Sequence, residues 1–310
     1  MAAPPWDIHT ASEDVLVDLC DKAEKENGRL SNYQHGDRVI KLSDKIAFKY
    51  GHGVREAEAR TQEFANRHAD PTIVHVPRVH RFFLYKHHSW QRPRGYLFME
   101  YISGQLLQNV DLKVKVDIIP RIAKIIEHFG QIQDSHAVPG PIGGGEPQGY
   151  PFGDDGAKRS FSSTSDFQAW LKIRLALKDK SINLDAHPLV LCHTDLCRQN
   201  MILEDNNPIA LLDWGCAGMY PRYFEVASLS WLNPYDEPYE KPLLQAVLAL
   251  LHLSAEEKES MALLLIVRAA NLRYSFDPPE ENEGEPEWLR ILHSSPPVPP
   301  FVPRQTSNPP

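Results

Sequence analysis

The residues that could carry chemistry are concentrated in one stretch of the chain, Leu189–Gly215, which reads LVLCHTDLCRQNMILEDNNPIALLDWG. It contains two apolar runs, Met201–Leu203 and Ile209–Leu212, separated by turn-forming residues, and this pattern predicts a β-hairpin. In an antiparallel pair the entry to the first strand faces the exit of the second. The hairpin therefore predicts that Asn200 and Asp213 lie side by side at its open end.

An amide oxygen beside a carboxylate suits Mg²⁺, which also keeps water and phosphate oxygens among its ligands. Asp195 lies five residues before Asn200 and should open onto the same cleft. There its carboxylate could orient a hydroxyl group and accept the proton of that hydroxyl. Phosphoryl transfer needs little beyond positioning and charge neutralisation. Asp195, Asn200 and Asp213 together therefore indicate phosphoryl transfer to a hydroxyl group.

A lysine must still reach the nucleotide phosphates from another part of the chain. Lys49 ends the predicted strand Ile46–Phe48, and the helix-forming segment Glu56–Arg67, rich in Ala, Glu, Gln and Arg, follows shortly after it. This is the order expected of a strand lysine that pairs with a helix glutamate.

The elements that must position these residues divide the chain into two kinds of sequence. The first hundred residues alternate as strands do, and the runs Val39–Leu42 and Lys45–Lys49 predict a hairpin around Ser43-Asp44. Tyr96–Ile102 predicts a buried strand. After Gly104 the apolar period changes from two to about 3.6 residues. We therefore predict an α+β fold with a ligand cleft between a strand-rich half and a helix-rich half.

The helix-rich half has three recognisable features. Ile118–Phe129 has the apolar face of an amphipathic helix. Pro139–Gly156 is a long Gly- and Pro-rich loop, and loops of that kind inside a domain are often functional. Capping boxes that start at Ser165 and Ser254 predict two further helices.

Composition excludes several classes of protein. The 310 residues are 42% hydrophobic and 24% charged, which is enough apolar material for a core, and no apolar run is long enough to span a membrane. The net charge of −8 without a basic stripe disfavours nucleic-acid binding. The N-terminus lacks a secretory layout, and the four cysteines form no C-x-x-C pair. We therefore expect a cytoplasmic protein, whose oligomeric state the sequence leaves open.

At these residues the sequence resembles the aminoglycoside phosphotransferase (APH)-like kinase family, especially its large fungal branch of small-molecule kinases. The resemblance runs from about Asp37 to Leu232 and depends on five motifs that occur in the right order at sensible spacing. They are FKYG (Phe48–Gly51), EA (Glu58-Ala59), FMEYISG (Phe98–Gly104), HTDLCRQN (His193–Asn200) and LLDWG (Leu211–Gly215).

The resemblance implies a two-lobed, protein-kinase-like fold with ATP and Mg²⁺ as cofactors. Asp195 would be the catalytic base, and Asn200 and Asp213 would bind the metal ion. Lys49 would hold the α- and β-phosphates and would be oriented by Glu58. Glu56 remains an alternative to Glu58, because both lie at the start of the same helix.

The resemblance also concerns the adenine and the acceptor. The backbone of Glu100, Tyr101 and Ile102 would meet the adenine, and His193 would brace the catalytic loop. GTP remains an alternative donor. The acceptor would be the hydroxyl of a small molecule such as a choline-like amino alcohol, a sugar or an aminoglycoside. Thr194 departs from the usual glycine, and no glycine-rich phosphate loop is evident.

The domain boundaries follow from the change from strand-like to helix-like sequence near Tyr101–Gly104 and from the proline content of the tail. We expect a nucleotide-binding lobe at residues 1–101, a catalytic and substrate lobe at residues 102–293, and a Pro-rich disordered tail at residues 294–310. Seven of the last 15 residues are proline, which is typical of an extended segment.

Three other interpretations are weaker. The chain could be a kinase-shaped module that binds a nucleotide or a partner without catalysis. It could be a metal-dependent hydrolase that uses His193, Asp195 and Asp213. A zinc cluster of Cys192, His193 and Cys197 would lack a fourth ligand, and its adjacent first two residues would have to point both ways.

Overall fold

The computed structural model describes residues 7–30, 36–88, 92–230, 236–274 and 276. In these ranges the chain forms seven α-helices and nine β-strands, so the predicted α+β class is confirmed. The helices are α1 (Glu13–Asn27), α2 (Glu56–His68), α3 (Ile118–Phe129), α4 (Thr164–Leu175), α5 (Tyr223–Leu229), α6 (Glu237–Leu251) and α7 (Ala255–Arg273). The strands are β1 (Arg38–Lys41), β2 (Ile46–Gly51), β3 (Val79–Tyr85), β4 (Arg94–Glu100), β5 (Gly104–Leu106), β6 (Leu189–Cys192), β7 (Met201–Glu204), β8 (Ile209–Leu211) and β9 (Gly218–Pro221).

The strand-rich half is a four-stranded antiparallel sheet in the order β1-β2-β4-β3. Side chains of adjacent residues point to opposite faces of a strand. Phe48 and Phe98 are paired across β2 and β4 and therefore share one face, where they pack in a core with α1. Leu97 lies on the other face and packs with Ala59 of α2. Lys49 pairs in register with Leu97, so its side chain is also on the α2 side.

Helix α1 is an element that our reading of the sequence missed. Its N-cap is Ser12, whose hydroxyl accepts a hydrogen bond from the Val15 amide at 3.4 Å. Two acidic residues follow in the first turn, and four apolar residues are buried against the sheet. The Ser-Glu-Asp start and the spacing of those apolar residues are the signals that could have revealed it.

The helix-rich half contains two small sheets, β5-β7-β8 and β6-β9, among α3 to α7. The predicted hairpin is β7 and β8, which pair antiparallel with Met201 opposite Leu211. Trp214 follows the hairpin and is fully buried, with its ring 5.8 Å from that of Phe129 on α3. His75 forms a parallel bridge with Ala210, which ties the segment after α2 to the hairpin.

One of the two predicted capping boxes is confirmed and the other is displaced. At the start of α7, the Glu257 amide donates to Ser254 Oγ at 3.1 Å and the Ser254 amide donates to Glu257 Oε2 at 2.8 Å. At the start of α4 the cap is Ser163, which accepts from the Asp166 amide at 3.1 Å. The prediction of Ser165 was wrong because the backbone is extended at Ser163, two residues earlier, and is already helical at Ser165.

Of the segment Tyr274–Pro310, the structure describes only Tyr274 and Phe276. The predicted tail at 294–310 and the boundary at residue 293 therefore lie outside the described residues, and the boundary at 101 stays a prediction. No helix in the described ranges is long and apolar enough to cross a bilayer.

We expect Ser163→Ala to destabilise the protein by about 1 kcal/mol, because the substitution removes the N-cap hydrogen bond of α4. Ser165→Ala is the matched control. Among the described residues, the Ser165 hydroxyl hydrogen-bonds only to the Ser163 hydroxyl, at 2.9 Å. We therefore expect this variant to lose less than about 0.5 kcal/mol of stability. Urea unfolding of both variants measures the difference, and equal losses would show that the cap is wrongly assigned.

Candidate active site

Lys49 is a buried lysine with a carboxylate partner on α2. Its Nζ donates to Glu58 Oε1 at 2.7 Å, and both side chains are almost excluded from solvent. Glu56 is exposed and pairs instead with Arg60 on its own helix at 2.7 Å. Of the two glutamates that the sequence left open, the structure therefore brings Glu58 to Lys49.

The same ammonium group reaches a second carboxylate, 164 residues further along the chain. Lys49 Nζ donates to Asp213 Oδ1 at 2.9 Å. The Asp213 side chain is 45% exposed, so its carboxylate is open to solvent as well as in contact with Lys49. The backbone of Asp213 is left-handed, with φ of 58°, and the Gly215 amide donates to Oδ1 at 3.4 Å. The turn after β8 thus aims this carboxylate at the strand lysine.

Asp195 and Asn200 form the neighbouring part of the site. Asn200 Nδ2 donates to Asp195 Oδ2 at 2.8 Å and to the Asp195 carbonyl oxygen at 3.0 Å. The Leu212 amide donates to the Asn200 carbonyl oxygen at 2.8 Å, which continues the hairpin by one residue beyond β7 and β8. Asn200 and Asp213 therefore lie at neighbouring positions of the open end, as the hairpin predicted. Because the amide nitrogen is used for Asp195, the amide oxygen of Asn200 is the end that can ligate a cation.

The carboxylates around Lys49 perturb one another. Burial opposes the charged forms, but the Lys49 ammonium outweighs it and holds the pKa of Asp213 below its usual value. Burial and the Asp213 carboxylate raise the pKa of Asp195 to about 6. Burial raises the pKa of Glu58 to about 7, against the effect of Lys49. One ammonium among three acids leaves an excess of negative charge, which is the electrostatic condition for binding a divalent cation.

His193 acts inside the fold and does not face the cleft. It is fully buried, its ring lies 4.9 Å from that of Trp214, and burial lowers its pKa to about 4. Its Nε2 donates to the Leu212 carbonyl oxygen at 2.9 Å, and its Nδ1 accepts from the Asp195 amide at 3.3 Å. Both ring nitrogens are thus occupied by protein groups. This matches the predicted bracing role and argues against His193 as a metal ligand in a hydrolase or a zinc cluster.

Glu225 on α5 is a residue of the site that sequence reasoning missed. Its buried carboxylate accepts hydrogen bonds from the backbone amides of His193 and Thr194, the latter at 3.0 Å. Thr194 has a left-handed backbone with φ of 60°, and its Oγ1 donates to the Cys216 carbonyl oxygen at 2.8 Å. The signal in the sequence is one acidic residue within the mainly apolar run Tyr223–Leu229. Glu225 therefore holds the loop that carries Asp195.

The predicted adenine segment, Glu100–Ile102, begins at the C-terminal end of β4. The Glu100 amide donates to the Arg78 carbonyl oxygen at 2.9 Å, and the Tyr101 amide donates to the Lys45 carbonyl oxygen at 3.0 Å. The Arg78 amide donates to the Glu100 carboxylate at 3.2 Å. Ile102 is buried. These contacts fix the segment against both neighbouring strands of the sheet.

The strand geometry gives the spacing between the two parts of the site. Lys49 lies opposite Leu97 on β4, and Glu100 is three residues further along, about 10 Å at the usual rise per residue. The structure thus brings together Lys49, Glu58, Asp195, Asn200 and Asp213. The segment Glu100–Ile102 lies apart from them, at and just beyond the end of β4.

Comparison with known proteins decides the family. Residues 32–264 match the phosphotransferase enzyme family, APH. The chain belongs to this family. A comparison with curated proteins gives no match.

Solved structures of phosphotransferases share the fold. Aminoglycoside phosphotransferase APH(4)-Ia is 15% identical over 83% of this chain and 88% of its own, with a TM-score of 0.52. A thermostable mutant of that enzyme, in a ternary complex with AMP-PNP and hygromycin B, is 14% identical over 84% of this chain and 90% of its own, with a TM-score of 0.54. APH(3'')-Id from Streptomyces rimosus is 15% identical over 84% of this chain and 98% of its own, with a TM-score of 0.50. These similarities confirm the predicted protein-kinase-like fold.

We expect Glu225→Ala to destabilise the protein by roughly 2–5 kcal/mol, because two buried backbone amides lose their acceptor. Glu225→Gln keeps one acceptor oxygen and should lose less. Chemical unfolding at pH 7 measures both variants. Equal losses in the two would contradict the assigned hydrogen bonds.

The same residue predicts a pH dependence of stability. Burial raises the pKa of Glu225 from 4.5 to about 7, so the folded state binds this proton more tightly than the unfolded state does. The stability gained from protonated Glu225 is complete below pH 4.5 and is lost as the pH rises through 7, to a total of roughly 3 kcal/mol. The free energy of unfolding of the wild type, relative to Glu225→Gln, should therefore fall across this window. A constant difference would refute the shift.

Proposed function

We propose that this protein is a Mg²⁺-dependent small-molecule kinase that transfers the γ-phosphoryl group of ATP to a hydroxyl group. The observation that carries the proposal is the connection of Lys49 to Glu58 and Asp213, beside the hydrogen-bonded pair of Asp195 and Asn200. A lysine from the sheet and three oxygen-bearing side chains from the helix-rich half thus lie next to one another. Membership of the phosphotransferase enzyme family supports this reading.

Lys49 is proposed to bind the α- and β-phosphate oxygens of ATP. Its ammonium stays charged, because the Asp213 and Glu58 carboxylates outweigh the burial that would otherwise lower its pKa. Glu58 accepts a hydrogen bond from Lys49 Nζ at 2.7 Å, so the amine is oriented before the nucleotide arrives. The backbone of Glu100–Ile102 is proposed to meet the adenine, and GTP remains an alternative donor.

Asn200 and Asp213 are proposed to hold the Mg²⁺ ion. The fit rests on donor chemistry, since a carboxylate and an amide oxygen are hard ligands, and on the excess negative charge of the site. When bound, Mg²⁺ supplies neutralisation of the charge on the phosphates. Asp213 is half-exposed, which leaves it able to contact a group in the cleft.

Asp195 is proposed to orient the acceptor hydroxyl and to take up its proton. Asn200 Nδ2 donates to Oδ2 of this carboxylate at 2.8 Å, which orients it. A pKa of about 6 keeps Asp195 largely ionised at neutral pH while making it a better base than an ordinary aspartate.

The acceptor is proposed to be a small molecule. The ternary complex of the APH(4)-Ia mutant contains hygromycin B with AMP-PNP, which supports an acceptor of that size in this fold. Choline-like amino alcohols, sugars and aminoglycosides remain the classes to test. We also propose that the chain belongs to the fungal branch of small-molecule kinases, which the five sequence motifs resemble. Four free thiols support a cytoplasmic location.

We propose residues 1–101 as the nucleotide-binding lobe and residues 102–293 as the catalytic and acceptor lobe. The first contains the four-stranded sheet, α1 and α2, and the second contains the two small sheets with the remaining helices.

The decisive experiment couples ADP release to a panel of hydroxyl metabolites with Mg²⁺ and ATP. At least one acceptor should be phosphorylated by the wild type, and Asp195→Asn should reduce kcat for it by roughly 10²–10⁴-fold. Asn keeps the shape of the side chain and an oxygen for Asn200, so thermal unfolding should be nearly unchanged. AMP-PNP binding without turnover of any acceptor would favour the non-catalytic module. Nucleotide-independent hydrolysis would favour the hydrolase.

Glu58 and Glu56 provide a matched pair for the lysine assignment. Glu58→Gln should raise KM for ATP by roughly 10-fold, because Lys49 loses a charged partner that orients it. Glu56→Gln removes only an exposed ion pair within α2 and should change KM by less than about 2-fold. Steady-state kinetics with either donor nucleotide compares them. A larger effect at position 56 would reverse the assignment.

A further inference from the structure

The loop between α3 and α4 touches two parts of the site at once. We call residues Gly140–Tyr150 the connecting segment. Its five glycines, Gly140, Gly143, Gly144, Gly145 and Gly149, all have positive φ, so this backbone path is available to few other residues. The segment is the first two-thirds of the Gly- and Pro-rich loop that the sequence singled out, and the proposed reaction gives it no task.

The middle of the connecting segment is bound to α2. The Ile142 amide donates to Thr61 Oγ1 at 3.0 Å, and Thr61 Oγ1 donates to the Ala57 carbonyl oxygen at 2.7 Å. Thr61 is fully buried. A Cβ atom at Gly145 would lie only 3.1 Å from the Ala57 side chain, so the glycine allows a close approach. The hydroxyl of Thr61 is therefore a buried bridge between the segment and the first turn of α2, beside the exposed ion pair of Arg55 with Glu146 at 3.3 Å.

The two ends of the connecting segment contact β9 and the turn after Asp213. Gly140 exchanges two backbone hydrogen bonds with Met219 of β9, at 3.2 and 2.8 Å. A Cβ atom at Gly149 would lie 3.0 Å from Cys216 Sγ, in the turn after Asp213. Burial and the Asp195 carboxylate together raise the pKa of Tyr150 to about 12. The connecting segment thus extends from β9 to α2 and back to the turn after Asp213.

The first turn of α2 needs external support. Its N-cap is Arg55, which makes no side-chain capping hydrogen bond. A helix end without a cap frays more readily, because its first amides lack partners. Glu58 lies in this turn, and Thr61 follows it by three residues on the same buried face. Whatever holds Thr61 and Ala57 therefore also holds the carboxylate that orients Lys49.

We propose that Thr61 is a positioning residue, which fixes the first turn of α2 to the connecting segment and acts through Glu58 and Lys49 on the affinity for nucleotide. This inference rests on the proposed function, since it assumes that Lys49 binds phosphates. It assigns a role to the Thr61 hydroxyl, which hydrogen-bonds to the backbone of Ile142 and Ala57 and not to Lys49 or Glu58.

The test compares Thr61→Val with Thr61→Ser in the full-length protein. Valine keeps the shape but removes the hydroxyl, and serine restores it. The probe is AMP-PNP with Mg²⁺, titrated by calorimetry. Loss of a hydrogen bond of this kind should weaken binding by about 2- to 10-fold in Thr61→Val, and Thr61→Ser should bind like the wild type. Val247→Ala, a buried change on α6, controls for stability and should leave the affinity unchanged.

A double-mutant cycle separates positioning from general destabilisation. In a Glu58→Gln background, Thr61→Val should cause no further loss of affinity, because its route to Lys49 is already broken. An undiminished effect in that background would overturn the proposal, as would wild-type affinity in Thr61→Val itself. If Thr61→Val lacks a cooperative unfolding transition, Thr61→Ala takes its place with the same expectations. A wild type that fails to bind AMP-PNP would overturn the proposed function along with the inference.

Discussion

A buried ammonium group must be compensated, and Lys49 draws its compensation from two distant parts of the chain. Glu58 reaches it from α2, and Asp213 reaches it from the turn after β8. A lysine buried without such partners would cost several kcal/mol or would lose its proton. The pairing therefore requires that the sheet, α2 and the β7–β8 hairpin meet at one point. The cluster of polar side chains, with Asp195 and Asn200 beside Asp213, is a consequence of that meeting.

The helix-rich half stores local backbone strain at two residues of the candidate site. Thr194 and Asp213 both have left-handed backbones, which cost about 1–2 kcal/mol each for residues with a Cβ atom. Contacts from outside the loop offset this cost. The Glu225 carboxylate accepts a hydrogen bond from the Thr194 amide at 3.0 Å. The fully buried Trp214 fixes the chain directly after Asp213. Strained residues supported in this way are typical of functional sites.

Local patterns in the sequence were enough to predict the hairpin, the strand that carries Lys49 and the cap at Ser254. The choice between Glu58 and Glu56 was beyond them, because both lie in one helical turn. Two residues along a helix differ by about 200° around its axis, and only the packing of α2 on the sheet decides which carboxylate turns inward. Glu225 was missed for a related reason, since its partners are more than 30 residues away and are backbone amides, which leave no mark in a sequence.

The chemistry of position 200 shows why an amide belongs there. Asn200 donates to Asp195 Oδ2 at 2.8 Å, which lowers the pKa of Asp195 against the larger effect of burial. A carboxylate at this position could not donate and would add a third negative charge beside Asp195 and Asp213, so the pKa of Asp195 would rise further. The amide keeps Asp195 ionised near neutral pH and still offers an oxygen atom to a cation. In the proposed reaction, the two carboxylates and the amide would combine binding of the metal ion with a general base, whereas a third carboxylate at position 200 would raise the pKa of that base.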